Sequence, residues 1–281
     1  MKRKYLIILM LFGTVSLQAQ GVVMPFLTID RNPVTAALGS ARITDGLYNP
    51  AAVPFTGSDI FLSYQNWAPQ TSKATHINLA GNYRIKDKFG LSAKAAFQMA
   101  DPVNQFTPKE FIVSVGAGYA FTSHLSAGVN LSYVNQQLYT DLSFNAFSAD
   151  VFLLYRWKDL KVSGGITSIG PSVKSGEMNY PLPASIKLGG SYSLPFGLSF
   201  AGDFDYFVSG GIGAALGIQY AWQDMLFARA GYHYGTEKAP LPPYLSLGIG
   251  AKFYGFHIDI CYMTASKSLG NTLTLGIGYA F

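Results

Sequence analysis

Few residues of this sequence have the types and spacing that catalysis needs. The chain contains four histidines, which are His76, His124, His233 and His257. None of them has a Ser or Asp close by at the spacing of a catalytic motif, so nucleophilic catalysis finds no support. The glycine-rich stretches 210–213 and 248–250 lack the Lys-Ser/Thr pair and the helix of a phosphate-binding loop. We therefore expect no enzymatic activity.

A pair of carboxylates is the strongest remaining candidate for acid–base chemistry. Asp203 and Asp205 are two positions apart, which places both side chains on the same face of a strand. Paired carboxylates can exchange protons with a substrate, but on the wall of a β-sheet they more often pair with basic groups. The expected partners are Lys187, Arg229 and Lys252.

A second polar group has the same spacing. His257, Asp259 and Cys261 share one face of another segment, and these residue types can ligate a metal. A strand face with mixed polar residues explains them without one, so the sequence predicts no metal site and no cofactor. Cys261 is the single cysteine, which excludes an internal disulfide.

The composition restricts the elements that could position these side chains. Only 12% of the 281 residues are charged, against about 25% in average soluble domains, while 49% are hydrophobic and 15% aromatic. High hydrophobicity excludes disorder, and low charge argues against an ordinary soluble enzyme. A membrane-spanning helix needs about 20 apolar residues, and only the extreme N-terminus comes close. The mixture, with 30 glycines, is typical of a transmembrane β-barrel.

The N-terminus has the pattern of a secretory signal peptide. Lys2, Arg3 and Lys4 precede the apolar stretch 5–17, which is too short to span a membrane, and Ala19 offers a small residue for cleavage. We therefore predict a signal peptide at 1–19. These three basic residues account for most of the formal net charge of +5, so the charge implies no nucleic-acid partner.

From residue 58 onward, segments with a period of two residues alternate with turns. In the last segment, Leu273, Leu275 and Ile277 alternate with Thr, Gly and other small residues. About fourteen such segments occur, so we predict an all-β fold, a transmembrane antiparallel β-barrel at 58–281. A soluble β-sandwich also alternates, but its polar face usually carries charge, whereas the polar face here is mostly small.

Two further signals support a barrel in the outer membrane of a Gram-negative cell. Short connections alternate with longer ones, such as 137–145 and 170–183, which predicts short periplasmic turns, longer external loops and periplasmic termini. The apolar faces end in aromatic residues, as membrane-interface girdles do. Tyr279 and Phe281 end the last strand and resemble the C-terminal signal by which outer-membrane barrels are recognised.

Residues 20–57 do not alternate and precede the first strand. Asn32-Pro33 and Asn49-Pro50 each open a stretch compatible with a short helix, and Gly39 follows the first of them. A barrel of about fourteen strands is too wide to be filled by small inward-facing side chains. We therefore expect 20–57 to be a hatch or plug inside the barrel; the alternative is an extended periplasmic tail.

The same segment carries a family resemblance. The strings at 26–29, 36–41 and 48–52 resemble the N-terminal signature of the PorV/PorQ proteins, which belong to the FadL-like outer-membrane barrels. The resemblance implies fourteen strands and an N-terminal hatch with an Asn-Pro-Ala turn. The residues that carry this hatch motif are Phe26, Leu27, Leu38, Gly39, Asn49, Pro50 and Ala51.

Two functions follow from this resemblance, and the N-terminal signature favours the first of them. A PorV/PorQ-type barrel would escort or anchor proteins exported by the type IX secretion system, with outer-membrane lipid, secretion components and exported cargo proteins as its partners. A FadL-like channel would instead take up hydrophobic small molecules, and a third interpretation is a structural barrel or passive pore. An uptake channel needs an apolar pocket of several hundred cubic ångströms, whereas an escort needs an exposed external groove.

Overall fold

The computed structural model describes residues 24–71, 73–102, 106–139, 142–175 and 178–281, so the predicted signal peptide at 1–19 lies outside the described residues. The strands in chain order are β1 (Asp59–Trp67), β2 (Ala74–Ile85), β3 (Phe89–Met99), β4 (Lys109–Ala120), β5 (Leu125–Tyr139), β6 (Leu142–Trp157), β7 (Leu160–Ile169), β8 (Val173–Ser175), β9 (Met178–Tyr180), β10 (Ser185–Ser193), β11 (Leu198–Phe207), β12 (Ile212–Trp222), β13 (Leu226–Gly235), β14 (Tyr244–Phe253), β15 (Phe256–Thr264) and β16 (Thr272–Ala280).

Fourteen of these strands form one closed antiparallel barrel, as the sequence predicts. Each strand pairs with its sequence neighbours, except that β7 pairs with β10 and β1 closes the barrel against β16. Asp59 pairs with Ala280 at this closure, and the N–H of Phe281 donates to the carbonyl oxygen of Ser58 at 3.0 Å. β8 and β9 form a separate two-stranded ribbon. Closure leaves no sheet edge, which a membrane environment requires.

The two faces of the wall differ as the period of two predicts. Leu275 and Ile277 on β16 are exposed on the outer face, whereas Thr272 and Thr274 are fully buried on the inner face. On the other strands the outer face carries aromatic and aliphatic side chains, and the inner face carries small and polar side chains together with some large apolar ones, such as Phe61 and Phe152. Among the described residues, no helix is long and apolar enough to cross a membrane.

Two of the predicted long connections contain strand. The sequence predicts a loop at 137–145, but β5 and β6 extend through most of it. Polar side chains on the outer face stabilise this extension, since Asn135 Nδ2 donates to Asn145 Oδ1 at 2.9 Å and Tyr133 donates to the same oxygen at 2.7 Å. The expected loop at 170–183 likewise contains the ribbon β8–β9. Both stretches are rich in polar residues, so they lack the apolar alternation that predicts a strand.

Residues 24–57, called here the N-terminal segment, contain three short helical turns, which are Pro25–Thr28, Pro33–Ala36 and Pro50–Phe55. The third of these turns packs against β2 to β6, and the second packs against β14 to β16. Both turns contact the inner face of the wall.

Candidate functional site

Two Asn-Pro pairs shape the N-terminal segment. Asn32 is extended before Pro33, and its Oδ1 accepts a hydrogen bond from the backbone N–H two positions later at 3.0 Å. Asn49 does the same before Pro50, at 2.9 Å. Asparagine is a favoured N-cap residue and proline fits the first helical position. Each pair therefore begins a helical turn.

The side chain of Asn49 also fixes its turn to the wall. Its Nδ2 donates to the carbonyl oxygen of Ile43 at 2.6 Å and to Ser163 Oγ on β7 at 3.0 Å. On the other side of the turn, the hydroxyl of Ser126 on β5 donates to the carbonyl oxygen of Ala51 at 2.6 Å. Asn49 is fully buried, so these bonds satisfy an amide that would otherwise be costly to bury.

Glycines on the inner face of β4 and β5 make room for this turn. A Cβ on Gly118 would collide with the carbonyl group of Pro50, and one on Gly128 would collide with the backbone of Ala51. A Cβ on Gly116 would meet the ring of Pro50. Only glycine allows the backbone of the segment to approach the strand backbone this closely.

Leu38 and Gly39 make a second close approach, against β12 to β14. Gly39 has a φ of +70°, and its N–H donates to Ser246 Oγ at 3.1 Å. Its carbonyl oxygen lies 3.2 Å from His233 Nδ1, which donates in the matching tautomer. A Cβ on Gly231 would collide with the backbone of this turn. The predicted motif residues Leu38 and Gly39 therefore lie in a fitted, hydrogen-bonded contact.

The carboxylate pair noted in the sequence binds the segment as well as a lysine. Lys187 Nζ lies 2.6 Å from Asp205 Oδ2 and 3.3 Å from Asp203 Oδ2, as the sequence predicts. Asp203 Oδ2 also accepts the backbone N–H groups of Arg42 and Ile43, at 2.7 and 3.0 Å. All three side chains of the Lys–Asp–Asp cluster are buried. The cluster therefore anchors the middle of the N-terminal segment rather than exchanging protons with a substrate.

The other predicted partners of the aspartates are elsewhere. Arg229 Nη1 binds Asp259 Oδ1 at 2.6 Å, and Lys252 is exposed near the end of β14, so both predictions were wrong. His257 lies between two carboxylates, with Nδ1 3.0 Å from Asp259 Oδ2 and Nε2 3.1 Å from Asp59 Oδ1. The described residues contain no group of three or more His, Cys, Asp or Glu arranged to hold a metal ion.

Tyr48 and Arg42 lie in the N-terminal segment and stack on each other. The Arg42 guanidinium stacks over the Tyr48 ring at 4.3 Å and donates to the carbonyl oxygen of Thr28 at 2.9 Å. Burial raises the pKa of Tyr48 to about 12, against nearby Arg42 and Lys187, which lower it. Burial also raises the pKa of Asp45 to about 6, although a hydrogen bond from the N–H of Leu47 lowers it. Tyr48 is therefore neutral at physiological pH.

An apolar cluster fills the end of the barrel where the longer connections meet. From the N-terminal segment it contains Met24, Phe26, Ile29, Ala36 and Ala37; from the wall and connections it contains Trp67, Ala68, Ala74, Ala96, Ile112, Val134, Ala146, Val173, Leu182, Leu241, Tyr244, Cys261, Met263 and Leu269. Phe26 is 2% exposed, while its neighbour Leu27 is partly buried against the same cluster. We call it the loop-end cluster. It is the largest apolar group around the segment.

Some residues of this site carry no signal in the sequence analysis. Tyr244 is almost fully buried, and its hydroxyl lies 2.7 Å from Ser40 Oγ. Tyr244 begins β14 on the same inward face as Ser246. A tyrosine on a face of otherwise small residues is the feature of the sequence that could have indicated its role. Tyr279 and Phe281, by contrast, are exposed on the outer face and stack at 6.0 Å, away from the segment.

Solved structures identify the fold, although no protein-family model and no curated protein matches the chain. The toluene transporter TbuX of Ralstonia pickettii matches with a TM-score of 0.63 at 14% identity, covering 89% of this chain and 97% of the transporter. The chain has the FadL-like outer-membrane β-barrel fold.

Two further structures agree with this assignment. The CymD monoaromatic hydrocarbon channel has a TM-score of 0.64 at 15% identity, covering 88% of this chain and 96% of CymD. A Pseudomonas aeruginosa FadL homologue has a TM-score of 0.59 at 11% identity, covering 90% of this chain and 95% of the homologue. Of these structural neighbours, TbuX is a transporter and CymD is a channel.

Proposed function

We propose that this FadL-like barrel is a non-enzymatic outer-membrane channel for hydrophobic small molecules, closed by residues 20–57 as a hatch. The observation that carries the proposal is the loop-end cluster, in which Met24, Phe26 and Ile29 fill an apolar space between the wall and the connections. The fold shared with a toluene transporter and a monoaromatic hydrocarbon channel supports the same substrate class.

The proposed placement follows from the connections. Residues 1–19 direct export, the short turns and both termini face the periplasm, and the longer connections face outward. The loop-end cluster then lies on the external side, where a hydrophobic molecule arrives first. The outer face of the wall contacts lipid.

Entry of a hydrophobic molecule requires the apolar side chains of the segment to leave the cluster. Full burial of a Phe side chain stabilises a protein by roughly 1.5–3 kcal/mol, so Phe26 is an intramolecular competitor that a ligand of similar size can replace. The Asp203 bonds to the N–H groups of Arg42 and Ile43 hold the next part of the segment. Passage beyond the cluster therefore requires these bonds to break as well.

Trp67 provides a direct test because it belongs to the cluster and is 7% exposed. The other two tryptophans, Trp157 and Trp222, are exposed on the outer face and can be changed to Phe. In that background, titrating toluene into the barrel in nanodiscs should change the Trp67 emission saturably. Phe26→Ala should lower the apparent Kd several-fold because it removes the competitor.

Phe204→Ala is the matched control, since Phe204 is a phenylalanine on the outer face. It should leave the toluene titration unchanged. A Trp67 signal that does not saturate, or that Phe204→Ala alters as much as Phe26→Ala, would contradict binding in the loop-end cluster.

A second candidate function is the escort of proteins exported by the type IX secretion system. What supports it over uptake is the size and lining of the interior, because the central cavity is about 90 Å³ and is lined by Arg31, Lys94 and Asp150 among others, whereas an uptake channel needs an apolar pocket of several hundred cubic ångströms. The test is affinity purification of the tagged barrel from outer membranes. Capture of an exported protein that is lost when that protein's C-terminal signal domain is deleted would support the escort; equal capture without the domain would reject it.

A further inference from the structure

Three cavities that each have charged side chains in their lining follow one another along the N-terminal segment. The turn-end cavity, about 280 Å³, lies where β1 begins and β16 ends, beside Asp59, Asn82 and His257. The central cavity, about 90 Å³, is lined by Lys94 and Asp150 and by serines on β4 to β7. The loop-end cavity, about 30 Å³, extends to residues between β13 and β14. Together they reach from one end of the barrel towards the other.

Neighbouring cavities adjoin each other, because some residues line both. The turn-end and central cavities share four residues, which are Asn32, Asp45, Leu47 and Phe61. The central and loop-end cavities share another four, which are Leu27, Arg42, Tyr48 and Ser168. The three cavities therefore adjoin inside the wall, where displacement of a shared side chain would connect two of them.

The ring of Tyr48 forms part of the partition between the central and loop-end cavities, because Tyr48 lines both. Lys94 lines the central cavity and lies 5.8 Å from the ring, while Lys187 lines the loop-end cavity and lies 5.9 Å from it. Arg42 stacks on the same ring at 4.3 Å. Cations thus approach the ring from both cavities, and the polar lining continues on either side of it.

The size and lining of the cavities suit water. A water molecule occupies about 30 Å³ and needs two to four polar partners, so the central cavity has room for about three molecules among its Ser, Asp and Lys side chains. Side chains at such boundaries change rotamer in picoseconds to nanoseconds where they are free to move. Small ions follow water where fixed charges of both signs replace part of their hydration shell.

We propose that these cavities form a path for water and small inorganic ions through the barrel while the N-terminal segment stays in place, with Tyr48 at its narrowest point. This activity is separate from hydrophobic uptake, which requires the segment to leave the loop-end cluster. The segment then excludes large solutes and still passes small ones.

Conductance in planar bilayers tests the path, with potassium chloride as the probe. The wild-type barrel should give a small, steady conductance. Tyr48→Ala should raise it several-fold because the partition is removed, whereas Tyr48→Phe, which keeps the ring, should stay within about twofold of the wild type. Wild-type and Tyr48→Ala barrels that both conduct no more than the bare bilayer would overturn the proposal.

Two controls separate a wider path from a dislodged segment. Phe55→Ala removes an aromatic ring from the same segment at a position that lines none of the three cavities, so it should leave the conductance unchanged. Polyethylene glycol too large for the cavities should fail to enter the Tyr48→Ala barrel. Entry of that polymer, or an equal rise in Phe55→Ala, would mean that the segment has moved and would reject the path. The toluene titration tests hydrophobic uptake and does not depend on the outcome of either control.

Discussion

Asn49 connects three parts of the molecule through one side chain. Its oxygen caps the turn that begins at Pro50, and its nitrogen reaches Ile43 within the segment and Ser163 on the wall. The Asn-Pro pair predicts the local cap, because Asn before Pro favours such a turn. The bond to Ser163 depends on which strand lies opposite, and a single sequence does not contain that information.

Substituting Asn49→Ala together with Pro50→Ala should loosen the N-terminal segment without unfolding the barrel. The strand ladder involves neither residue, whereas the segment loses a cap worth about 1 kcal/mol and its bond to Ser163. In planar bilayers we expect larger, noisier currents than those of the wild type. The heat-modifiable gel shift checks that the barrel is folded. A quiet double variant would show that Asn49 does not hold the segment in place.

The partners of Asp203 are only partly predictable from residue types and spacing. Its spacing from Asp205 and the basic character of Lys187 predict the cluster, because β10 and β11 are adjacent hairpin strands whose register is nearly fixed by the turn. Arg229 was assigned to the wrong partner because the strand register places it level with Ser199, four residues from Asp203, on one side and level with Cys261, two residues from Asp259, on the other. This register across two strands does not follow from any local pattern. The two N–H groups of the segment that bind Asp203 are likewise not predictable from a local pattern.

At the scale of strands, the membrane makes the sequence easy to interpret. Lipid on one side and the barrel interior on the other impose the period of two, which the barrel strands follow except at the register shifts in the β5–β6 and β6–β7 pairs. The prediction failed where that constraint ends. The ends of β5 and β6 beside their connection carry Asn and Gln, so their sequence resembles a loop. Side-chain hydrogen bonds nevertheless hold the two strands paired there.

Arginine on the outer face should destabilise the barrel according to depth. Val113 and Leu131 lie near the middle of β4 and β5 with exposed side chains, so Arg at either position should cost roughly 2–4 kcal/mol. Leu125 has the same orientation but begins β5 beside a short turn, where the cost should fall to roughly 0–1 kcal/mol. Urea titrations in lipid vesicles measure the three variants. Equal costs at all three positions would refute the proposed membrane placement.

For the molecule as a whole, the segment and the wall are complementary in shape. Glycines stand where the segment's backbone touches the strands, at Pro50–Ala51 and at Leu38–Gly39. The sequence shows small inward-facing residues and an unassigned segment of suitable length, which is enough to predict that the two belong together. The pairing of particular glycines with particular turns required the three-dimensional structure.

Phe281→Asp should reduce the amount of assembled barrel. The residue ends the chain on the outer face, stacks near Tyr83 and Tyr279, and follows the strand that closes against β1. Phe253→Asp makes the same change at another exposed aromatic, at the end of β14, and should assemble more fully. The folded fraction is measured by the heat-modifiable gel shift of outer-membrane material. Equal, normal amounts in both variants would contradict a special role for the terminal residue.

The pairing of β1 with β16 has a kinetic consequence. It joins the two ends of the barrel sequence, so it is the contact with the largest loop-closure entropy and forms after the local hairpins. The N-terminal segment is covalently continuous with β1 and touches the inner faces of β4, β5 and β12 to β14. If the barrel had already closed, this segment would have to enter it through one end. We therefore expect the segment to dock onto the open, curved sheet before β1 pairs with β16.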